Sequence, residues 1–141
     1  MSQTNEQMNI VLDTNVLLVA LPSHSKYHPI YLALLNKTFD LYVSNEILTE
    51  YEEQISQRLG IERTDLKLRE LLNLSNVYCV EPFYNWQLIE IDPDDNKFCD
   101  CAVTCRADYL VTNDRHYDIL TTIPFPPINV VKAEEFLKMV L

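Results

Sequence analysis

The run Ile10-Val11-Leu12, closed by Asp13, constrains this chain more than any other stretch. Three consecutive apolar residues, two of them β-branched, suit a strand buried on both faces, as in a parallel sheet. A second apolar run opens at Val16 and reads as a helix over Asn15 to Ala20, with Thr14 or Asn15 available to cap it. Asp13 then stands where the strand stops. A carboxylate between two apolar runs costs free energy unless something pairs with it. In open parallel sheets that edge is also where ligands bind, so Asp13 calls for partners at the same edge.

The rest of the chain alternates in the same way. Pro29 to Leu35 reads as a second helix, with Ile30, Ala33 and Leu34 on one side. Leu41 to Ser44 is the second strand, and Ser44 caps an amphipathic helix over Asn45 to Leu59 that Gly60 ends. Glu50 and Glu52 flank its apolar stripe of Ile47, Leu48, Tyr51 and Ile55. Periodicity does not choose between them, though Glu50 lies nearer the capped end. A helix over Arg63 to Asn73 leads to a third strand over Asn76 to Val80. Asp92-Pro93-Asp94-Asp95 then opens a helix over Asn96 to Arg106. Asp94 suits its cap. Asp95 shares a face with Phe98, Ala102 and Cys105 and points to the core side, and Asp100 lies on the far, solvated face. Ala107 to Thr112 holds the fourth strand, followed by Asn113-Asp114-Arg115. Ile128 to Val131 is the fifth strand, and Ala133 to Leu141 the closing helix. Strands alternating with helices predict one three-layer α/β/α domain over residues 1–141, with a mainly parallel, Rossmann-like sheet of about five strands.

Composition excludes several functions. The single glycine, Gly60, rules out every glycine-rich phosphate loop. No apolar run approaches the roughly 18 residues of a membrane span. The polar stretch Met1 to Gln7 has no basic region of the kind that opens a signal peptide. The four cysteines, Cys79, Cys99, Cys101 and Cys105, form no C-x-x-C pair and read as reduced core thiols of a cytoplasmic protein. His24 and His28 read as solvated loop residues. The net charge of −10 argues against broad contact with a phosphate backbone, but not against a site where bound cations reverse the local charge.

Asp13 follows strand one, Asp114 follows strand four, and Asp95 opens the helix that feeds strand four. If strands one and four are neighbours, these carboxylates meet at a switch point of the sheet, with Glu50 within reach. Acids brought together repel unless cations share the site. Oxygen-only ligands suit the hard divalent ions Mg²⁺ or Mn²⁺, one or two of them.

Four stretches resemble, in order and spacing, the successive motifs of the PIN-domain family: Val11-Leu12-Asp13-Thr14-Asn15-Val16, Leu48-Thr49-Glu50-Tyr51, Asp92-Pro93-Asp94-Asp95-Asn96-Lys97-Phe98 and Ala107 through Asp114. They look most like its subgroup of toxin components from toxin–antitoxin systems. The resemblance implies a metal-dependent ribonuclease with Asp13, Glu50, Asp95 and Asp114 as catalytic and metal-binding acids, and it selects Glu50 over Glu52. It further implies single-stranded RNA as substrate, a small antitoxin protein as partner, and a homodimer. Thr14, Asn15, Thr112 and Asn113 would support the acids from outside. Asn113 stands where many relatives have glycine, and asparagine tolerates the left-handed backbone such a turn needs. Lys97 and Arg115, next to the presumed ligands, are the candidates to touch phosphate.

Two other readings compete. A phosphatase with Asp13 as nucleophile lacks its second acid, because Asn15 occupies that place. A catalytically inactive PIN-like binding module would explain the scarcity of basic residues, but not the retention of four acids.

Overall fold

Buried apolar runs build a wholly parallel sheet from five short strands: Asn9–Leu12 (β1), Asp40–Val43 (β2), Val77–Cys79 (β3), Tyr109–Val111 (β4) and Val130–Val131 (β5), in the order β3-β2-β1-β4-β5. The computed structural model describes residues 7–141. The N-terminal stretch read above as no signal peptide therefore lies, but for Gln7, outside them. Each strand is fully parallel to its neighbours, with Leu12 beside Val111 across β1 and β4 and Leu41 beside Val77 across β2 and β3. Ile10, Val11, Leu41, Leu110 and Val111 are completely buried, as a sheet covered on both faces requires.

Among the described residues six α-helices accompany the sheet: Thr14–Ala20 (α1), His28–Leu35 (α2), Asn45–Leu59 (α3), Ile61–Leu72 (α4), Asn96–Cys105 (α5) and Ala133–Val140 (α6), with 3₁₀ segments at Pro93–Asp95 and Arg115–Thr122. Helix α5 packs across β1, β2 and β4, while α2 packs against both α1 and α6. Phe136 of α6 meets Phe39, just before β2, edge to face at 5.1 Å. The expected α/β architecture with a five-stranded parallel sheet is the one found.

Local chemistry differs from expectation at several points. Helix α1 starts at Thr14, and Asp13 holds the N-cap position without a side-chain capping bond, so neither Thr14 nor Asn15 is the cap. Asp94 does not cap α5. Asp92 instead caps the preceding 3₁₀ turn, its Oδ1 accepting the Asp94 N–H at 3.2 Å. Helix α4 begins at Ile61 rather than Arg63. Gly60, at φ +82°, turns the chain within one residue, and its carbonyl accepts both the Thr64 N–H and the Thr64 hydroxyl.

Asp100 is buried rather than solvated. The irregular segment 80–92 folds back over α5, and Asp100 Oδ1 accepts the Trp86 N–H at 3.0 Å. Cys79 is exposed because β3 is an edge strand, whereas Cys99 and Cys101 are buried, and all four thiols are free. His28 opens α2, half-buried, its Nδ1 2.9 Å from the Ala20 carbonyl that ends α1.

Candidate active site

The switch point of the sheet falls between β1 and β4, and the two strand ends there each deliver a carboxylate. Asp13 leaves β1 with its N–H donated to the Val111 carbonyl at 3.0 Å, which ties the acid to the last residue of β4. Its Oδ2 accepts the Thr112 hydroxyl at 2.8 Å. That hydroxyl oxygen accepts the Asp114 N–H at 3.0 Å, and Asp114 Oδ1 accepts the His116 N–H at 2.9 Å. One buried threonine thus positions both strand-end acids. Tyr51 of α3 donates its hydroxyl to the Leu12 carbonyl at 2.6 Å and holds the end of β1 from below.

These residues open onto a cleft of about 220 Å³ lined by Asp13, Thr14, Asn15, Glu50, Gln54 and a group of aspartates, Asp92, Asp94, Asp95 and Asp114. The 3₁₀ turn at Pro93–Asp95 brings Asp95 in, 9% exposed. The Tyr117 hydroxyl donates to its carbonyl oxygen at 3.3 Å. Glu50 stands on the wall. The Thr14 hydroxyl donates to its Oε2, and Lys97 Nζ lies 2.8 Å from its Oε1 with only 13% of the lysine side chain exposed.

Electrostatics records the crowding. Burial, then the charges of Asp95 and Glu50, push the Asp13 carboxyl from the ordinary 3.8 up to about 6, despite the opposing bond from Thr112. Burial, then Asp92 and Asp114, raise Asp95 as well. Acids that resist ionisation in a cleft of oxygen donors have the composition that a hard divalent cation compensates, so the side chains fit such an ion.

The structure brings Asp13, Glu50, Asp95 and Asp114 to one cleft, with Thr14, Asn15 and Thr112 beside them. Asn113 is not with them. Its Oδ1 accepts the Ala133 N–H at 3.0 Å, so it caps α6, and its φ is not left-handed. Lys97 is engaged by Glu50 rather than free for phosphate. Arg115 is exposed and forms no ion pair among the described residues. Sequence reasoning missed Asp92 as a wall of the cleft and the approach of His116 to its acids. The imidazole Nδ1 lies 3.3 Å from Asp95 Oδ2, 3.4 Å from Asp114 Oδ1 and 4.0 Å from Asp92 Oδ2. The available signal was its place two residues after Asp114, where an Asx turn folds it back over the acids.

The fold is shared with solved structures. VapBC2 from Rickettsia felis, bound to a DNA fragment from its promoter, matches with a TM-score of 0.62 and 22% identity over 89% of this chain and 98% of that one. DNA-bound VapBC from Salmonella typhimurium gives 0.61 at 16% identity, over 90% of this chain and 99% of that one. The PIN domain of human SMG5 gives 0.51 at 12%, over 93% and 97%. No curated protein matches significantly. A family model for the PIN domain matches residues 9–116, from the first residue of β1 to the histidine beyond the strand-four acid, and on that match the chain belongs to the PIN-domain family.

Proposed function

We propose that this chain is a metal-dependent endoribonuclease that cuts single-stranded RNA, the toxin of a toxin–antitoxin pair acting in the cytoplasm. The observation that carries the reading is the convergence of Asp13, Asp95, Asp114 and Glu50 in one cleft at the sheet's switch point. Asp13, Asp95 and Asp114 would hold Mg²⁺ or Mn²⁺, with Glu50 on the wall. Held there, such an ion would supply a bound water of lowered pKa and would offset charge on the phosphate and the leaving oxygen. The chain's own groups do the positioning. Thr112 orients Asp13 and Asp114 together, and Thr14 and Lys97 fix the Glu50 carboxylate in one rotamer. The toxin part of the reading is supported by the motif resemblance and by the fold shared with proteins of VapBC complexes. Those complexes also support a small antitoxin as partner. Four free thiols suit a reducing compartment.

The test is cleavage of a labelled single-stranded RNA with Mg²⁺, with Mn²⁺ and with a chelator, for the wild-type chain and Asp13→Asn. Metal-dependent cleavage that the variant lacks is expected. Cleavage that survives the chelator would refute the mechanism, and RNA binding without cleavage under any metal would favour the binding module.

A further inference from the structure

We infer that His116 supplies a nitrogen ligand, together with Asp95 and Asp92, to a cation at the Asp95 end of this cleft, and that this nitrogen makes that position prefer Mn²⁺ to Mg²⁺. The inference rests on the metal-dependent reading above. The ligand atoms of Asp92, Asp95 and His116 all lie within 4.8 Å of one another, a spacing that one ion can bridge. The backbone fixes where the imidazole starts: the His116 N–H donates to Asp114 Oδ1 at 2.9 Å, at the opening of the 3₁₀ segment Arg115–Thr122. Nδ1, the atom that faces the acids, lies 3.3 Å from Asp95 Oδ2, inside the group and not beside it.

A ring nitrogen aimed at three carboxylates has two chemical uses. As an N–H it donates to one of them at a time, while the others keep their mutual repulsion. As a lone pair it completes a mixed oxygen and nitrogen set around a cation, which satisfies all of them at once. Mixed sets discriminate between metals. Oxygen donors alone suit Mg²⁺, which resists losing its waters, whereas first-row transition ions gain from imidazole in the order of their general affinity for nitrogen. The neighbouring surface offers no competing role. His116 is half-exposed, its ion-pair partners are the three acids already named, and Lys97, on the wall of the cleft, is committed to Glu50.

The experiment measures binding rather than turnover. Mn²⁺ is titrated into the full chain and into His116→Ala, with affinity read by loss of the free-ion EPR signal and Mg²⁺ affinity by competition. Pulsed EPR on the bound Mn²⁺ reads ¹⁴N coupling. The wild type should show one directly bound imidazole nitrogen. His116→Ala should lose that coupling and bind Mn²⁺ at least about tenfold more weakly, the lower end of what changes around metal ligands cost, while Mg²⁺ affinity changes little. His116→Gln should restore part of the affinity without the ¹⁴N signal, which separates ligand loss from misfolding. Unchanged Mn²⁺ affinity without ¹⁴N coupling in the wild type would overturn the ligand role and leave the carboxylate site standing. Tighter binding in His116→Ala would mean that the imidazole competes with the cation. A wild-type chain that binds no divalent ion would overturn both this inference and the nuclease reading.

Discussion

Asp13 sits at the lowest exposure of any acid in the chain's cleft, and it bears the clearest electrostatic load. Its folded pKa of about 6 exceeds the ordinary 3.8, so without metal the folded chain holds a proton there that the unfolded chain has already released. Stability from this group is therefore greatest below about pH 4. It falls as the pH rises to about 6 and stays low above. Two units correspond to roughly 3 kcal/mol at about 1.4 kcal/mol per unit. Asp13→Asn is nearly isosteric and cannot ionise, so in chelator it should melt above the wild type at pH 7.5 and should lack the wild type's fall between pH 4 and 6. Thermal melts across that range check this, and a lower melting temperature at pH 7.5 would make Asp13 a structural residue. Thr112→Val should cost about 1–3 kcal/mol, since it strips a buried carboxylate of its donor and the Asp114 N–H of its acceptor. Denaturant titration in chelator measures that cost. Residue types at strand ends made Asp13 and Asp114 legible in the sequence. Asp92 and His116 were not, because their approach to Asp95 depends on two 3₁₀ segments that no apolar periodicity announces.

At the scale of elements, period and caps were readable where one face meets the core. Ser44 caps α3 as expected, its hydroxyl oxygen accepting the Ile47 N–H. The misses share one cause. Asp100, Cys79 and Asn113 were judged by their own elements, but their environments are set by others. Segment 80–92 covers Asp100, the sheet edge exposes Cys79, and the distant start of α6 takes the amide of Asn113. Helix α6 has no side-chain cap of its own from Lys132, so it borrows Asn113 from the loop after β4. Asn113→Ala should thus cost about 1 kcal/mol, as cap removals do, and should leave metal affinity unchanged. Chemical denaturation and the Mn²⁺ titration measure the two halves. Asp100→Ala should free the Trp86 N–H and loosen segment 80–92. Because Trp86 is the only tryptophan, its emission should shift to the red, with faster amide exchange confined to that segment.

Across the whole molecule, the proposed function asks a chain of net charge −10 to hold an anionic substrate with few cations. With Lys97 paired to Glu50, Arg115 is the basic group beside the strand-four acid still open to phosphate. Each phosphate contact with a single strand contributes about 0.7 to the slope of log affinity against log salt, so a slope no steeper than about 2 is expected. Binding should also require divalent ion, and Arg115→Ala should lower the slope by about 0.7. RNA affinity against salt with Mn²⁺, in Asp13→Asn and in Asp13→Asn combined with Arg115→Ala, checks this. Tight binding without metal would place the substrate elsewhere.

The pairing of β1 with β4 has a consequence in time as well as in space. Leu12 meets Val111, and Thr112 meets Asp13, across almost a hundred residues of intervening chain. A ribosome making this chain releases Asp13 almost a hundred residues before Thr112, with Asp114 just behind. The growing chain can bury β1 against β2 and still have no cleft. The acids of the cleft therefore come together only after Asp114 has emerged and β4 has paired with β1, so the site assembles late relative to the strand that starts it.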